Sequence, residues 1–447
     1  MSAPIRLTLS ILAAIIWLAA LPAQAIAQSI IRDAEIERGL QQLGAPIFRA
    51  AGLPSGIRII VLNDSSLNAF VADARHIFIH SGLLLRMDDP AQLQAVIAHE
   101  AAHIANGHIT RRATNAGNMN TAAALGLLLS IAAAAAGAGE GAAALAIGTQ
   151  SSALRVFFSH TRAEEASADQ AGLRYMTSAG INPTAMLDVL ELFRGQEVLS
   201  NTRQDPYIRT HPLTRDRLRD VQAFVGAQGS EFPTDATTQY WFDRTTAKLS
   251  AFLRAPSWTL RRVQRNDNSE IARLSRAIAY HRTPDADAAL QEIAALLQIR
   301  PNDPYYVELH GQILFESRRY EEAIARYAQA VELAPREPLI LAGYGRALLA
   351  PDTTNRNRQA LDALERARSR DPYDPRMLRD LAVAYARADQ NGMASLVTAE
   401  RYAIAGRMED AQIHATRAEG LLPRGSGGWL RAQDVLSVAQ AAANRRN

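Results

Sequence analysis

The chain has 447 residues, a formal net charge of +3 at pH 7 and no cysteine. This length exceeds what one ordinary hydrophobic core fills, so two or three domains are expected. The nearly balanced charge, without a long basic run, argues against nucleic-acid binding. The lack of cysteine excludes disulfides, thiolate metal ligands and a cysteine nucleophile.

The first 27 residues have the pattern of a secretory signal peptide. Arg6 supplies the positive charge, residues 7–21 are apolar, and alanines at 23–25 or 25–27 offer a cleavage site. A retained membrane anchor is the alternative, although the apolar run is short for a bilayer span. We expect an exported protein, and a bacterial periplasm is compatible with the cysteine-free composition.

One helix and three strands are predicted in the next fifty residues. An amphipathic helix over 30–51 is followed by β-type runs at 57–62, 67–72 and 76–80, with turn residues between them. These runs predict a small antiparallel sheet. Its edge strand could pair with the extended backbone of a peptide.

An H-E-x-x-H motif occupies residues 99–103. Asp89 is a suitable N-cap and Pro90 suits the first turn, so the motif is predicted to lie on a helix. On that helix His99 and His103 are one turn apart and can bind one metal ion, while Glu100 is placed to take a proton from the attacking water. Two structural histidines are the alternative interpretation.

The stretch 113–154 contains a single charged residue, Glu140. Its two apolar arms predict a hairpin that covers the site or, through 121–148, contacts a membrane peripherally. An ordinary packed helix pair is the alternative. Each arm is shorter than the roughly 20 residues that a transmembrane helix needs.

A second predicted helix supplies two further carboxylates, Glu165 and Asp169. A catalytic zinc needs a third protein ligand, and Glu165 fits that role, while Asp169 can orient a ligating histidine. Further on, His211 could reach the metal or the substrate, and Arg217 could stabilise an oxyanion. A helix-capping histidine and a surface arginine are the alternatives. His108 follows His103 by five residues rather than the six of proteases with a third histidine ligand, so it is predicted to be structural.

Together these features resemble the gluzincin metalloproteases of the HtpX and CaaX-prenyl-protease superfamily, and especially the periplasmic BepA-type members with a tetratricopeptide tail. The resemblance covers roughly residues 60–225. Its motifs are Asn68-Ala69-Phe70, Ser81-Gly82-Leu83-Leu84, the H-E-x-x-H, Arg162-x-x-Glu165-x-x-Ala168-Asp169, and His211-Pro212 with Arg217. The chain departs from the family at 73–76, where glycines are usual.

The resemblance implies one Zn²⁺ per chain, bound by His99, His103 and Glu165, with Glu100 as the general base. It also implies that Asp169 and His211, with Arg217, support the catalytic centre. Asn68 and Phe70, on the predicted edge strand, are the expected substrate-binding residues.

The second half of the chain is repetitive. Pro301 and Pro335 are 34 residues apart, the period of tetratricopeptide repeats, and Gly311, Ala323 and Tyr327 occupy the small and aromatic positions of one unit. We therefore predict a solenoid that binds protein partners. A helical domain with coincidental prolines is the alternative.

The sequence thus predicts a mostly α protein with three parts: a signal peptide (1–27), an α+β zincin-type metallopeptidase domain (28–264) and an all-α tetratricopeptide domain (265–447). By resemblance, its substrates are misassembled envelope or outer-membrane proteins, and its solenoid recruits them or outer-membrane assembly proteins. A chaperone or adaptor with a gated or idle protease site is the main alternative. A membrane-embedded protease is a further one.

Overall fold

The computed structural model describes residues 29–108, 161–196, 204–229 and 232–444. The predicted signal peptide and the apolar stretch 113–154 lie outside these residues. The described chain is mostly helical, with one small sheet near its start, which confirms the predicted fold class. Among the described helices, none combines the length and apolar character needed to cross a bilayer.

The sheet has four strands rather than three, and it is mixed rather than antiparallel. In chain order the strands are β1 (Ser29–Ile31), β2 (Arg58–Asn63), β3 (Ala69–Val71) and β4 (His76–His80), and their spatial order is β1-β2-β4-β3. Strands β2 and β4 pair in parallel, whereas both outer pairs are antiparallel. The prediction of a purely antiparallel sheet is wrong because β3 forms a hairpin with β4 and thereby takes the edge position.

The first helix starts later than the sequence pattern predicts. Helix α1 covers Ala34–Ala50, because the Asp33 side chain caps it by accepting from the backbone N–H groups of Glu35 and Ile36, each at 3.0 Å. The residues before Asp33 instead pair with β2, so the predicted 30–51 helix is divided between a strand and a helix.

The described residues of this N-terminal part contain six further helices: α2 (Ser81–Leu84), α3 (Pro90–Ala105), α4 (Arg162–Ser178), α5 (Thr184–Glu191), α6 (Pro206–Thr210) and α7 (Arg215–Gly226). The caps of α3 are the predicted ones, with the Asp89 carboxylate accepting from the Ala91 N–H at 2.7 Å and Pro90 in the first turn. Helix α4 crosses α3 closely at Gly172. A Cβ there would lie 3.3 Å from the backbone nitrogen of His99.

Two helices lead from this N-terminal part into a stack of helix pairs: α8 (Ala236–Leu253) and α9 (Pro256–Arg262). The stack consists of α10 (Glu270–Arg282), α11 (Ala286–Ile299), α12 (Pro304–Glu316), α13 (Tyr320–Leu333), α14 (Pro338–Leu349), α15 (Thr354–Arg370), α16 (Pro375–Arg387), α17 (Asn391–Ile404), α18 (Met408–Leu421) and α19 (Gly427–Asn444).

The helix pairs show the packing expected of tetratricopeptide repeats. Gly311 on α12 faces the Tyr327 ring on α13, and Gly345 on α14 faces Leu364 on α15; a Cβ at either position would approach the partner side chain to 3.0 Å or less. Near the end, α17 packs against both α16 and α18, so it serves as the second helix of one pair and the first of the next. The boundary at 264/265 remains a prediction, and it falls between α9 and α10.

The solenoid is held to α1 by buried ion pairs. The Arg244 guanidinium on α8 contacts the Glu35 carboxylate and lies 2.6 Å from Asp303 at the start of α12. Lys248, the only lysine in the chain, is fully buried, and its Nζ lies 2.9 Å from carboxylate oxygens of both Asp33 and Glu35. These contacts join α1, α8 and the solenoid.

Candidate metal centre

Three helices bring four ligand-bearing side chains to one point. His99 and His103 lie one turn apart on α3, Glu165 lies in the first turn of α4, and His211 directly follows α6. One donor atom from each lies within 4.8 Å of the other three, and all four residues are buried. The structure therefore brings together the three ligands predicted from the sequence and adds His211 to them.

The distances between these atoms suit a single divalent ion. His103 Nε2 is 3.1 Å from His99 Nε2, and the two Glu165 oxygens lie 3.3 and 3.4 Å from these nitrogens. His211 Nδ1 lies 3.0 Å from Glu165 Oε1 and 3.3 Å from His99 Nε2. Imidazole nitrogens with one carboxylate form a donor set that zinc prefers, so these residues fit the ion.

Asp169 and Arg217 support the ligands from behind. Asp169 Oδ1 lies 2.9 Å from His99 Nδ1, which directs the opposite ring nitrogen of His99 towards the cluster. The buried Arg217 donates to both oxygens of Asp169, at 2.6 and 2.9 Å, and its Nη1 is 2.8 Å from Glu165 Oε2. Since this guanidinium is engaged with two carboxylates, the geometry favours a positioning role for Arg217 over the predicted contact with an oxyanion.

Glu100 is buried beside the cluster, and neither of its oxygens has a hydrogen-bond partner among the described residues. Its Oε1 lies 3.4 Å from His211 Nε2. Burial raises the pKa of this carboxyl above its ordinary value. A carboxylate with free lone pairs and a raised pKa is suited to accept a proton.

The electrostatics of the cluster favour a cation next to an ionised Glu165. Burial lowers the pKa of His99, but the carboxylates of Glu165 and Asp169 outweigh this effect and raise it to about 10. Burial would raise the pKa of Glu165, yet His211, Arg217 and His99 hold it well below its usual range. Positive charge is thus stabilised at the point where the four ligands meet.

Two residues near the ligands have contacts that the sequence did not reveal. His108, predicted to be structural, lies outside the four-residue cluster but places its Nδ1 2.8 Å from His103 Nδ1. The Tyr207 ring lies 4.6 Å from the His211 ring, centroid to centroid. The four-residue spacing of Tyr207 and His211 is a helical signal that could have indicated this contact.

The two predicted substrate-contacting residues lie at the edge strand β3. Asn68 is buried immediately before this strand. Phe70 stacks on Phe78 at 5.2 Å, in a cluster separate from the main core that contains Ala69. The Phe70 side chain therefore faces away from the metal centre. The Ala69 carbonyl, in contrast, lies 3.2 Å from His211 Nε2, so the strand backbone reaches the site.

Peptide-bond hydrolysis at an H-E-x-x-H site needs an ion held by imidazoles and a carboxylate, with a second carboxylate free to act as a base. The residues around α3 supply the imidazoles and both carboxylates, and this portion of the chain is a metallopeptidase. Its residues 32–225 match the model of Peptidase family M48.

Two relatives align with most of the chain. The "Beta-barrel assembly-enhancing protease" of Escherichia coli (strain K12) is 26% identical over 394 residues, which covers 86% of this chain and 78% of that protein. The protein of the same name from Yersinia pestis is 25% identical over 391 residues, covering 86% and 79%. Among solved structures, a thermophilic TPR protein of Thermus thermophilus is 19% identical with a TM-score of 0.26, covering 38% of this chain and 100% of that one.

Proposed function

We propose that the chain is an exported zinc endopeptidase whose solenoid recruits protein substrates or partners. The observation that carries this proposal is the buried set of four donor atoms within 4.8 Å of one another, with the Glu100 carboxylate, which has no hydrogen-bond partner in the described residues, beside them. The proposed domains are the peptidase at 28–264 and the solenoid at 265–447.

In this proposal His99, His103 and Glu165 bind one Zn²⁺. The bound ion would supply Lewis acidity, polarising the scissile carbonyl and lowering the pKa of the attacking water towards about 7. Glu100 takes the proton of that water, and the same carboxyl then protonates the leaving amine. Asp169 and Arg217 keep His99 and Glu165 in orientation during this cycle.

The edge strand β3 is the proposed substrate platform. It pairs with β4 on one side, and no strand in the described residues pairs with its other side. A substrate in extended conformation can add to that side by backbone hydrogen bonds, which gives affinity with little dependence on side chains. The position of the Ala69 carbonyl next to His211 directs such a strand towards the metal centre.

The proposed substrates are misassembled envelope or outer-membrane proteins, and the proposed compartment is the periplasm. Support comes from the two relatives, whose name describes a protease that enhances β-barrel assembly. Outer-membrane assembly proteins are accordingly the proposed partners of the solenoid.

Zinc content and casein cleavage by the mature protein test the proposal. We expect one zinc per chain, with Glu100→Gln retaining zinc but losing about 10²–10⁴-fold in kcat. Glu165→Gln should lose zinc, whereas Glu164→Gln, the neighbouring carboxylate that closes a capping box at the start of α4, should keep it. Absence of zinc in the unaltered chain would contradict the ligand assignment.

A second candidate function is a chaperone or adaptor whose protease site is held closed. The observation that favours it is the position of His211, which lies within 3.4 Å of both the proposed ligand Glu165 and the proposed base Glu100. A catalytic zinc keeps one coordination position open for water, and a fourth protein ligand would fill it.

His211→Ala separates the two candidates, with His80→Ala as a control that also removes a buried imidazole but lies outside the ligand cluster. If His211 closes the site, casein cleavage rises in His211→Ala alone. If His211 assists catalysis, kcat falls at unchanged zinc content. A protein that stays inactive with bound zinc in both variants would favour the adaptor.

A further inference from the structure

A cleft of about 480 Å³ opens where α8, α9 and α10 meet, at the start of the solenoid. Its walls include Trp258, Thr259 and Arg262 from α9 and Ser269 and Ser275 from the region of α10. None of these residues contributes to the metal centre, so the cleft takes no part in the hydrolysis proposed above.

The cleft lies in a concentration of positive charge. Arg262 lines it, Arg254 lies 4.5 Å from the ring centroid of Trp258, and Arg282 donates to the backbone carbonyl of Ala251, a lining residue. Arg261 and Arg265 neighbour these residues in sequence, and none of the five arginines forms an ion pair with a carboxylate in the described part of the chain. Four of them fall within twelve residues of sequence. Such a group attracts an anionic partner because its guanidinium groups retain their full charge.

Two nearby carboxylates, Glu292 and Glu270, do not neutralise this charge, since other arginines already occupy them, and Asp267 in the wall of the cleft offsets only one of the five positive charges. Glu292 lies 2.6 Å from Arg276 and 3.1 Å from Arg273. Glu270 lies 2.6 Å from Arg300. The five unpaired guanidinium groups therefore remain in excess.

One wall of the cleft is fixed in place. The buried Arg276 donates through Nη1 to the backbone carbonyls of Gln264 and Asp267, at 3.1 and 2.7 Å. Asp267 is the one acidic residue of the wall, and its carboxylate accepts from the backbone N–H of Ser269 at 2.9 Å. A wall held by these bonds is preformed, which lowers the entropic cost of binding a ligand.

The floor of the cleft combines an aromatic ring with an unsatisfied hydroxyl. The Arg254 and Arg262 guanidinium groups lie 4.5 and 5.5 Å from the centroid of the Trp258 ring. Thr259 lines the cleft with 3% of its surface exposed, and its Oγ1 has no hydrogen-bond partner in the described structure. A buried hydroxyl without a partner is costly unless a ligand supplies one.

We propose that this cleft binds an acidic, extended segment of a partner or substrate protein. Guanidinium groups bind carboxylates by paired, charge-assisted hydrogen bonds, and the Trp258 ring offers apolar surface to the stem of a glutamate or aspartate. A recessed site with a fixed wall fits a peptide chain better than the flat surface of a lipid bilayer. The inference is independent of the metal centre, so either can fail without the other.

The test measures fluorescence anisotropy of a labelled twelve-residue peptide of glutamate, serine and glycine, and of its counterpart with glutamine for glutamate. The protein is the full mature chain carrying Glu100→Gln, which prevents cleavage. We expect the glutamate peptide to bind at least tenfold more tightly than the glutamine peptide. The double variant Arg254→Glu/Arg262→Glu, which changes the two arginines at the Trp258 ring, should weaken this binding at least tenfold.

The matched control is Arg358→Glu/Arg370→Glu, two exposed arginines of α15 that also have no carboxylate partner in the described residues. This variant carries the same change in net charge and should bind the peptide within twofold of the parent. Equal losses in both variants would show general charge attraction and overturn the proposal. Failure to bind the peptide would also overturn it, and binding to phosphatidylglycerol vesicles that depends on Arg254 and Arg262 would then assign the arginines to a lipid surface.

Discussion

Glu35 is the carboxylate on which two buried cations depend, and replacing it with glutamine tests how firmly the solenoid holds the peptidase. Glutamine keeps the volume and one acceptor oxygen but removes the charge. Arg244 then has Asp303 as its remaining carboxylate partner, and Lys248 has Asp33. Breaking a buried ion pair by removing one partner costs about 3–5 kcal/mol. For a domain of this size, such a loss lowers the midpoint of thermal unfolding by roughly 10 °C.

The matched control lies half a turn along the same helix. Glu37 pairs with Arg32 and Arg58, but its side chain is 22% exposed, so Glu37→Gln should cost only about 0–1 kcal/mol. Differential scanning fluorimetry of both variants in the Glu100→Gln background avoids self-digestion. Equal midpoints for Glu35→Gln and Glu37→Gln would refute the reasoning, because the buried network would then contribute no more than a surface pair.

Three further predictions concern the ligand supports and the solenoid. Asp169→Asn and Arg217→Lys should each weaken zinc affinity about 10–100-fold in a chelator competition. The double variant should lose less binding free energy than the sum of the two single losses, because the residues act through one another. Additive losses would mean that the two residues act separately. Gly172→Ala should lower kcat/KM at least tenfold at unchanged helix content, because the added methyl group pushes α4 away from the His99 backbone; unchanged kinetics would show that α3 and α4 tolerate the shift. Burial raises the pKa of Glu337 to about 7, whereas the unfolded chain releases this proton near pH 4.5. The free energy of unfolding therefore falls as the pH rises from about 4.5 through 7, because the folded state must then bury a carboxylate. Glu337→Gln, which retains an acceptor for the Leu339 N–H, should therefore raise the unfolding midpoint relative to the unaltered chain at pH 8 but not at pH 5; the same difference at both pH values would contradict the assignment.

The elements that could be predicted from the sequence are those with local signals. Asp89 and Pro90 define the start of α3 within a few residues of the motif, and the structure uses both as predicted. The repeats were predictable because a 34-residue period is visible in the chain itself. The third proposed ligand, Glu165, could be inferred because a metal held by two histidines needs another donor.

The features that could not be predicted depend on partners distant in sequence. Strand β1 exists because residues 29–31 pair with 61–63, and no local pattern distinguishes three such residues from the start of a helix. The parallel pairing of β2 with β4 depends on where β3 packs. Likewise, Arg217 lies 48 residues after Asp169, and only the folded chain shows that the two side chains form paired hydrogen bonds.

The single lysine of the chain gives its solenoid interface a built-in chemical reporter. Apart from the α-amino group, Lys248 is the only target for an amine-acylating reagent, and in the closed arrangement its Nζ is enclosed by Asp33 and Glu35. Acylation can proceed only when this region opens, so the rate of labelling, read by peptide mapping, measures how often the peptidase and solenoid separate. A partner that weakens the contact between peptidase and solenoid would accelerate labelling, and a partner that strengthens this contact would slow it. No engineered probe is needed.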